Sequence, residues 1–330
     1  MFYSAGKKLK LYDNNLEVIN FDSVIKIADP ITIEFRYIKI TSDQFDRIGK
    51  SEIMIVNNLR TSQTKEKSMD IITYYDDDVK VNKFYIGDHK YKTWNVHAFD
   101  PSEYGNPICY HNVGYRDESI TITTRAWEID KSGPVDRAFG CLRGIFRAAK
   151  PASPYFELAD IATGFTSKVI TAAIDHDQFY EFTMQFRPDM FILEGYYICI
   201  PGLDNYNEQL KILKYRLINN RIYLVDGDTY TEYPFSYFVI KVDKQPRKDL
   251  ADFDFMHSSA ELIGLFQEHD RNSNYSQLME VNRNNEDFNL ITELLDLDKK
   301  IEENGNDYDK ALYEATIKHL SDNALKFIKK

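Results

Sequence analysis

The chain has 330 residues, 43% hydrophobic and 28% charged, and a formal charge of −11 from 41 Lys and Arg against 52 Asp and Glu. This length predicts about two domains and a core large enough to need no disulfide or metal staple. The net acidity makes the chain a poor general binder of nucleic acid, because phosphate contacts need Lys and Arg, although a local basic patch could still bind one.

Three cysteines, Cys109, Cys141 and Cys199, are too few and too widely spaced for a disulfide framework or a structural zinc site. The start, Met1-Phe2-Tyr3-Ser4-Ala5-Gly6, lacks a cationic stretch followed by an apolar run, so no signal peptide is expected. No apolar run reaches the ~18 residues of a membrane span. A reducing, cytoplasmic location follows as the expectation.

Residues 1–132 read as a β-sandwich domain. Lys8–Leu11 and Leu16–Phe21 flank a turn at Asp13-Asn14-Asn15. In Ile31–Ile40 the residues Ile31, Ile33, Phe35 and Tyr37 fall on one face of a strand. Short β-rich runs follow at Glu52–Val56, Met69–Tyr75, Phe84–Ile86 and Trp94–Phe99. Ser119–Asp130 is the clearest strand: Ile120, Ile122, Thr124 and Ala126 point one way, Thr121, Thr123, Arg125 and Trp127 the other. Turn signals between short strands suit an antiparallel sandwich.

Two groups of this segment carry candidate chemistry. Asp76-Asp77-Asp78 follows a β run, and Asp117-Glu118 sits near another strand end. Carboxylates on loops at one end of a sandwich can hold Ca²⁺, a hard cation that takes oxygen ligands. In architecture and acidic loops only, the segment resembles a C2-type sandwich, so no residue's role is carried over. Ca²⁺ is the single cofactor that this resemblance brings in, and no other is expected. The second group is Cys109 and His111, two residues apart, with Asp117 as a third member. Cys and His make a nucleophile and base when an acid orients the imidazole, although such pairs usually come from separate elements.

Residues 133–246 read as a helical linker and a second, mostly β domain. After Ser132-Gly133-Pro134, a helix is predicted from Val135 to Lys150, with an apolar stripe that includes Phe139 and Phe146. Residues 131–150 hold five cations, Arg137, Arg143, Arg147 and Lys150 among them, against one acid, Asp136. A basic amphipathic helix of this kind fits an anionic membrane surface or the acidic face of a partner. A second helix is predicted from Phe156 to about Ile174. Strands return at Phe179–Phe186, Phe191–Ile200, Leu210–Ile218, Arg221–Val225 and Tyr237–Val242, with Asn219-Asn220 as a hairpin turn.

Residues 247–330 read as an acidic α-helical region, with 18 Asp and Glu against 11 Lys and Arg. Helices are predicted from about Ala260, from Asp287 to about Glu303, and from about Tyr308 to Lys329, with a break at Asn304-Gly305-Asn306. In the last of these, Tyr313, Ile317, Leu320, Ala324 and Phe327 form a heptad seam.

The sequence contains no P-loop, no G-x-G-x-x-G, no H-E-x-x-H and no G-x-S-x-G. The expected fold is mainly β with α: two antiparallel sandwich-like units joined by a helical segment, then the helical C-terminal region. The expected function is a non-enzymatic cytoplasmic interaction protein, an adaptor, scaffold or assembly subunit. The basic helix and the heptad seam are its expected contacts with a protein partner or a second copy. One alternative is a peripheral membrane-binding or membrane-damaging effector that uses helix 135–150, with or without Ca²⁺. The other is a metal-dependent or cysteine hydrolase centred on Cys109, His111, Asp117 and Glu118.

Overall fold

A computed structural model describes residues 2–4, 7–9, 24–42, 51–62, 69–79, 81–97, 107–128, 178–190, 192–200, 214–247, 275–304, 306–321 and 324–325. The strands are β1 (Phe2–Ser4), β2 (Lys7–Leu9), β3 (Ile31–Ser42), β4 (Ser51–Thr61), β5 (Met69–Val79), β6 (Asn82–Ile86), β7 (His89–His97) and β8 (Ile108–Asn112). They continue as β9 (Ile120–Glu128), β10 (Gln178–Phe186), β11 (Gly195–Cys199), β12 (Lys214–Ile218), β13 (Arg221–Asp226), β14 (Thr229–Glu232) and β15 (Tyr237–Asp243). Helices α1 (Tyr275–Asn304) and α2 (Asp307–Lys318) follow. The architecture is mainly β, and its sheets are antiparallel apart from the pairing of β1 with β11. The predicted helices 135–150, 156–174 and 260 onward lie outside the described residues.

The described strands form three sheets. The largest runs β2-β1-β11-β15-β3-β7-β6, with β8 also paired to β3. A second runs β10-β9-β4-β5, and a third is the meander β12-β13-β14. Strands from either side of residue 132 pair with one another. β11 and β15 join β3 in the first, and β10 joins β9 in the second. Turn signals mark where a strand ends, but not which distant strand it joins.

One apolar cluster draws on both large sheets. It includes Ile31, Ile33, Phe35, Ile38 and Ile40 of β3, Ile53, Ile55 and Leu59 of β4, Ile120, Ile122 and Ala126 of β9, and Phe238, Ile240 and Val242 of β15. The alternation expected in β9 is realised: Ile120, Ile122, Thr124 and Ala126 are buried. A smaller cluster lies on the other face of the largest sheet, with Tyr37, Ile198, Ile222, Tyr233, Tyr237 and Val239.

The position of Tyr37 departs from simple alternation. Tyr37 pairs with Val239, yet Phe35 pairs with Ile240, so Arg36 is an extra residue in β3. Such a bulge resets the two-residue period of the side chains. Ile31, Ile33 and Phe35 before it, and Ile38 and Ile40 after it, then all reach the large core. Tyr37 turns to the opposite face instead of sharing theirs.

The hairpin turns follow local chemistry. Asn219 and Asn220 both have positive φ, 49° and 62°, as a two-residue turn between twisted strands requires. The acidic triplet Asp76-Asp77-Asp78 is not a turn: its backbone lies within β5, where Asp76 pairs with Ile53 of β4. Pairing with β4 extends from Met69 to Val79, and the sheet overrides the low strand preference of Asp.

Helices α1 and α2 form a hairpin, broken where Asn304-Gly305-Asn306 predicts a break. The Asn306 side chain accepts from the Asp309 amide at 2.9 Å, which caps α2. The predicted final helix does not run unbroken to Lys329, because α2 stops at Lys318. Beyond it, the Asp287 carboxylate of α1 accepts from the Ser321 amide at 2.9 Å and from the Ser321 hydroxyl at 2.5 Å. Those bonds hold Ser321 against α1. The hairpin also rests on the segment 113–119. The Lys318 Nζ donates to the Ala28 carbonyl at 2.5 Å, and His319 Nε2 meets the Gly114 carbonyl at 3.0 Å. Arg116 pairs with Glu293 of α1.

Candidate functional site

The Cys109–His111 pair is parted by a second bulge. Ile33 pairs with Tyr110 and Glu34 with Ile108, so Cys109 is the extra residue of β8. Cys109 and Tyr110 both enter the large core. His111 turns the other way, where its Nδ1 lies 2.9 Å from the Thr32 hydroxyl. Sequence spacing places the two on one face, and the bulge is why the structure does not. The Cys109 sulfur is fully buried, 3.6 Å from Asn57 Nδ2 and 3.8 Å from the Pro107 carbonyl. Burial, then the Glu34 carboxylate, pushes its thiol well above the ordinary range. A thiol held protonated is a poor nucleophile.

The carboxylates of the same segment also have partners in the chain. Asp117 has φ +58° and its side chain bonds Tyr308, at the start of α2. Glu118 is buried and accepts from the Tyr110 hydroxyl and, at 3.1 Å, from Asn112 Nδ2. Burial raises its carboxyl, and those bonds, with the nearby Arg116 charge, act against the rise. Among the described residues, no group of three or more His, Cys, Asp and Glu side chains is gathered as a metal site would need. The side chains of Asp76, Asp77 and Asp78 lie outside the described residues.

The basic helix residues Arg137, Phe139, Arg143, Phe146, Arg147 and Lys150 also lie outside them, as does Phe327. The rest of the seam faces the chain's own α1. Leu320 and Ala324 join Leu294 in one apolar cluster, with Tyr313, Ile317, Leu290 and Ile291 packed on it. A heptad pattern states that a stripe will be covered, but not whether the cover comes from the same chain.

One charged constellation among the described residues is missed by sequence reasoning. It forms where β3 and β15 meet the β13–β14 hairpin. The bulge at Arg36 turns Tyr37 to this face, and Lys39 follows two residues later, opposite Tyr237. Glu232 of β14 reaches them. Its Oε1 accepts from Tyr37 at 3.1 Å, from Tyr237 at 3.2 Å and from the Lys39 Nζ at 3.2 Å. The Lys39 Nζ also donates to the Tyr233 carbonyl at 2.7 Å. Arg221 Nη1 lies 3.5 Å from Glu232 Oε2, and its guanidinium sits 5.3 Å from the centre of the Tyr37 ring. The rings of Tyr37 and Tyr237 stack at 5.3 Å.

The electrostatics follow from burial. Lys39 is 6% exposed, and burial lowers its ammonium from the usual range while Glu232 acts the other way. Burial and then the Glu232 charge push the Tyr37 phenol up to about 12. Burial pushes the Tyr237 phenol higher still. Both phenols therefore stay protonated near neutral pH and donate. With three donors on one carboxylate oxygen, the cluster fastens the meander to the largest sheet. A signal is present in the sequence: a lysine between Ile38 and Ile40 in an apolar strand is buried only with a partner. The identity of that partner, 193 residues away, is not encoded locally.

No protein-family model, curated protein or solved structure matches this chain. Among the described residues, no helix is long and apolar enough to cross a membrane.

Proposed function

We propose that this chain is a non-enzymatic interaction protein, an adaptor or assembly subunit that works through protein contacts at open sheet edges. The observation that carries the reading is the placement of exposed aromatic side chains. Tyr85 of β6 is 67% exposed and Tyr230 of β14 is 46% exposed, and each strand is the last of its sheet among the described residues. Proteins normally blunt or cover such edges, because unpaired strand backbone recruits other chains. Tyrosine is also a favoured anchor of protein interfaces. The reading treats the two large sheets as layers of a sandwich around their shared core. It places the protein in the reducing cytoplasm, in keeping with the free buried thiols of Cys109 and Cys199.

Photo-crosslinking tests this. A benzoylphenylalanine at Tyr85 or Tyr230, in the cells that make the protein, is expected to give a discrete protein adduct. The same group at exposed Lys299 of α1 is the control. Absence of an adduct at both edges, or equal adducts at Lys299, refutes the reading.

A further inference from the structure

β6 ends the eight-stranded sheet and, among the described residues, pairs with β7 alone. Four of its five residues are exposed. Its outward edge therefore offers backbone donors and acceptors to another strand. The two faces beside that edge differ in chemistry. Residues directly opposite each other in an antiparallel pair share a face. Lys83 opposite Lys92 and Tyr85 opposite Lys90 form one face. Phe84 opposite Tyr91 and Ile86 opposite His89 form the other.

The first face is cationic. Lys83 and Lys90 are exposed on it, within a chain whose net charge is −11, whereas Lys92 is 6% exposed and has an interaction of its own. The second face is apolar. The Phe84 ring stacks on Tyr91 at 5.5 Å, and Tyr91 meets Phe235 edge-on at 6.1 Å. Ile86 continues this face and is 39% exposed.

A strand laid beside β6 would run about 4.8 Å away and present alternate side chains to the two faces. We propose that β6 is a strand-addition site whose partner is an extended protein segment alternating acidic and apolar residues. The acidic positions lie beside Lys83 and Tyr85, and the apolar positions extend the Phe84–Ile86 surface. This inference rests on the interaction reading above and specifies the partner's chemistry.

The test is fluorescence anisotropy with the full chain and a labelled peptide of four Glu-Val repeats. Saturable binding is expected, weakening as salt rises. Two control peptides are expected to bind at least about tenfold more weakly. One has four Lys-Val repeats; the other has the same composition as the probe, with all its glutamates first and all its valines after. Methylation of alternate backbone nitrogens on the edge-facing side of the Glu-Val peptide removes the pairing donors and is expected to abolish binding. The variant K83E/K90E, with a melting temperature matching the parent, is expected to lose about tenfold in affinity. Y85T should lose less, because its backbone remains. No binding by the Glu-Val peptide, unchanged binding to K83E/K90E, or binding that survives methylation overturns the proposal. So does a single-stranded oligothymidine that binds through Lys83 and Lys90 when the peptide does not. If the peptide fails while Tyr85 still crosslinks a protein, the interaction reading stands and the acidic-strand partner falls. If neither occurs, both fall.

Discussion

Replacing Glu232 with alanine removes the acceptor shared by Tyr37, Tyr237 and Lys39. A bond to a charged acceptor is worth ~1.5–3 kcal/mol, but three bonds to one oxygen do not add. Glu232 is itself 25% exposed, so water replaces part of what is lost. Breaking a buried ion pair from one side costs ~3–5 kcal/mol. With the exposure taken into account, about 3 kcal/mol is expected for E232A. That is a roughly hundredfold increase in the local opening of the meander. The assay is hydrogen exchange of the amides of β13 and β14, which reports local opening directly. Lys39→Met removes the buried charge that E232A strands. The double variant E232A/K39M is therefore expected to recover about 2 kcal/mol relative to the sum of the single changes. Exchange in E232A within about threefold of the parent, or strictly additive effects in the double variant, would refute the view that this carboxylate fastens the meander.

Three further outcomes follow from the packing. A Cβ on Gly114 would lie 3.1 Å from Lys318 Cδ and 3.2 Å from the Ala315 carbonyl, so Gly114→Val is expected to cost ~1–3 kcal/mol; the check is selective proteolysis or faster exchange in α2, and unchanged α2 protection would contradict it. His319 is held neutral down to about 4, first by burial, with Arg116 and Lys318 acting in the same direction and Glu293 and the Gly114 carbonyl against. Its folded value lies below the ordinary ~6.5, so its contribution is complete above pH ~6.5 and is lost as pH falls from there to about 4; exchange of α2 against pH should show this slope in the parent and a smaller one in H319Q. Site-resolved alkylation at about pH 8, just below the ordinary thiol range, should leave Cys109 and Cys199 nearly unmodified in the folded chain and modify both in urea, because burial raises both thiols, that of Cys199 to about 12; rapid native modification of Cys109 would reopen the thiol chemistry.

The legible parts of the fold are those set by neighbours in sequence. The alternation of β9 is legible from Ile120 to Ala126, the Asn219-Asn220 turn from its tolerance of positive φ, and the start of α2 from the break around Gly305. What escapes depends on distant pairing. The bulges at Arg36 and Cys109 exist only relative to partner strands, yet they decide that Tyr37 leaves the large core and that Cys109 and His111 part. The seam that begins on α2 and continues past its end at Lys318 is legible as an apolar stripe, while its cover by α1 is not. The Glu232 cluster stays hidden for the same reason, since its members come from β3, β13, β14 and β15.

The strand order also sets a schedule for biosynthesis. β3 emerges from the ribosome early, but its central neighbour β15 pairs Tyr237 with Lys39, about 200 residues later. At ~5–20 residues per second, translation alone separates the two by roughly 10–40 s. Throughout that interval the apolar β3 has no β15 to sit against, and Lys39 has no Glu232. A product stalled or truncated before residue 237 would therefore leave the β15-facing edge of β3 unpaired, with the core residues Ile31, Ile33, Phe35, Ile38 and Ile40 along it, open to other chains.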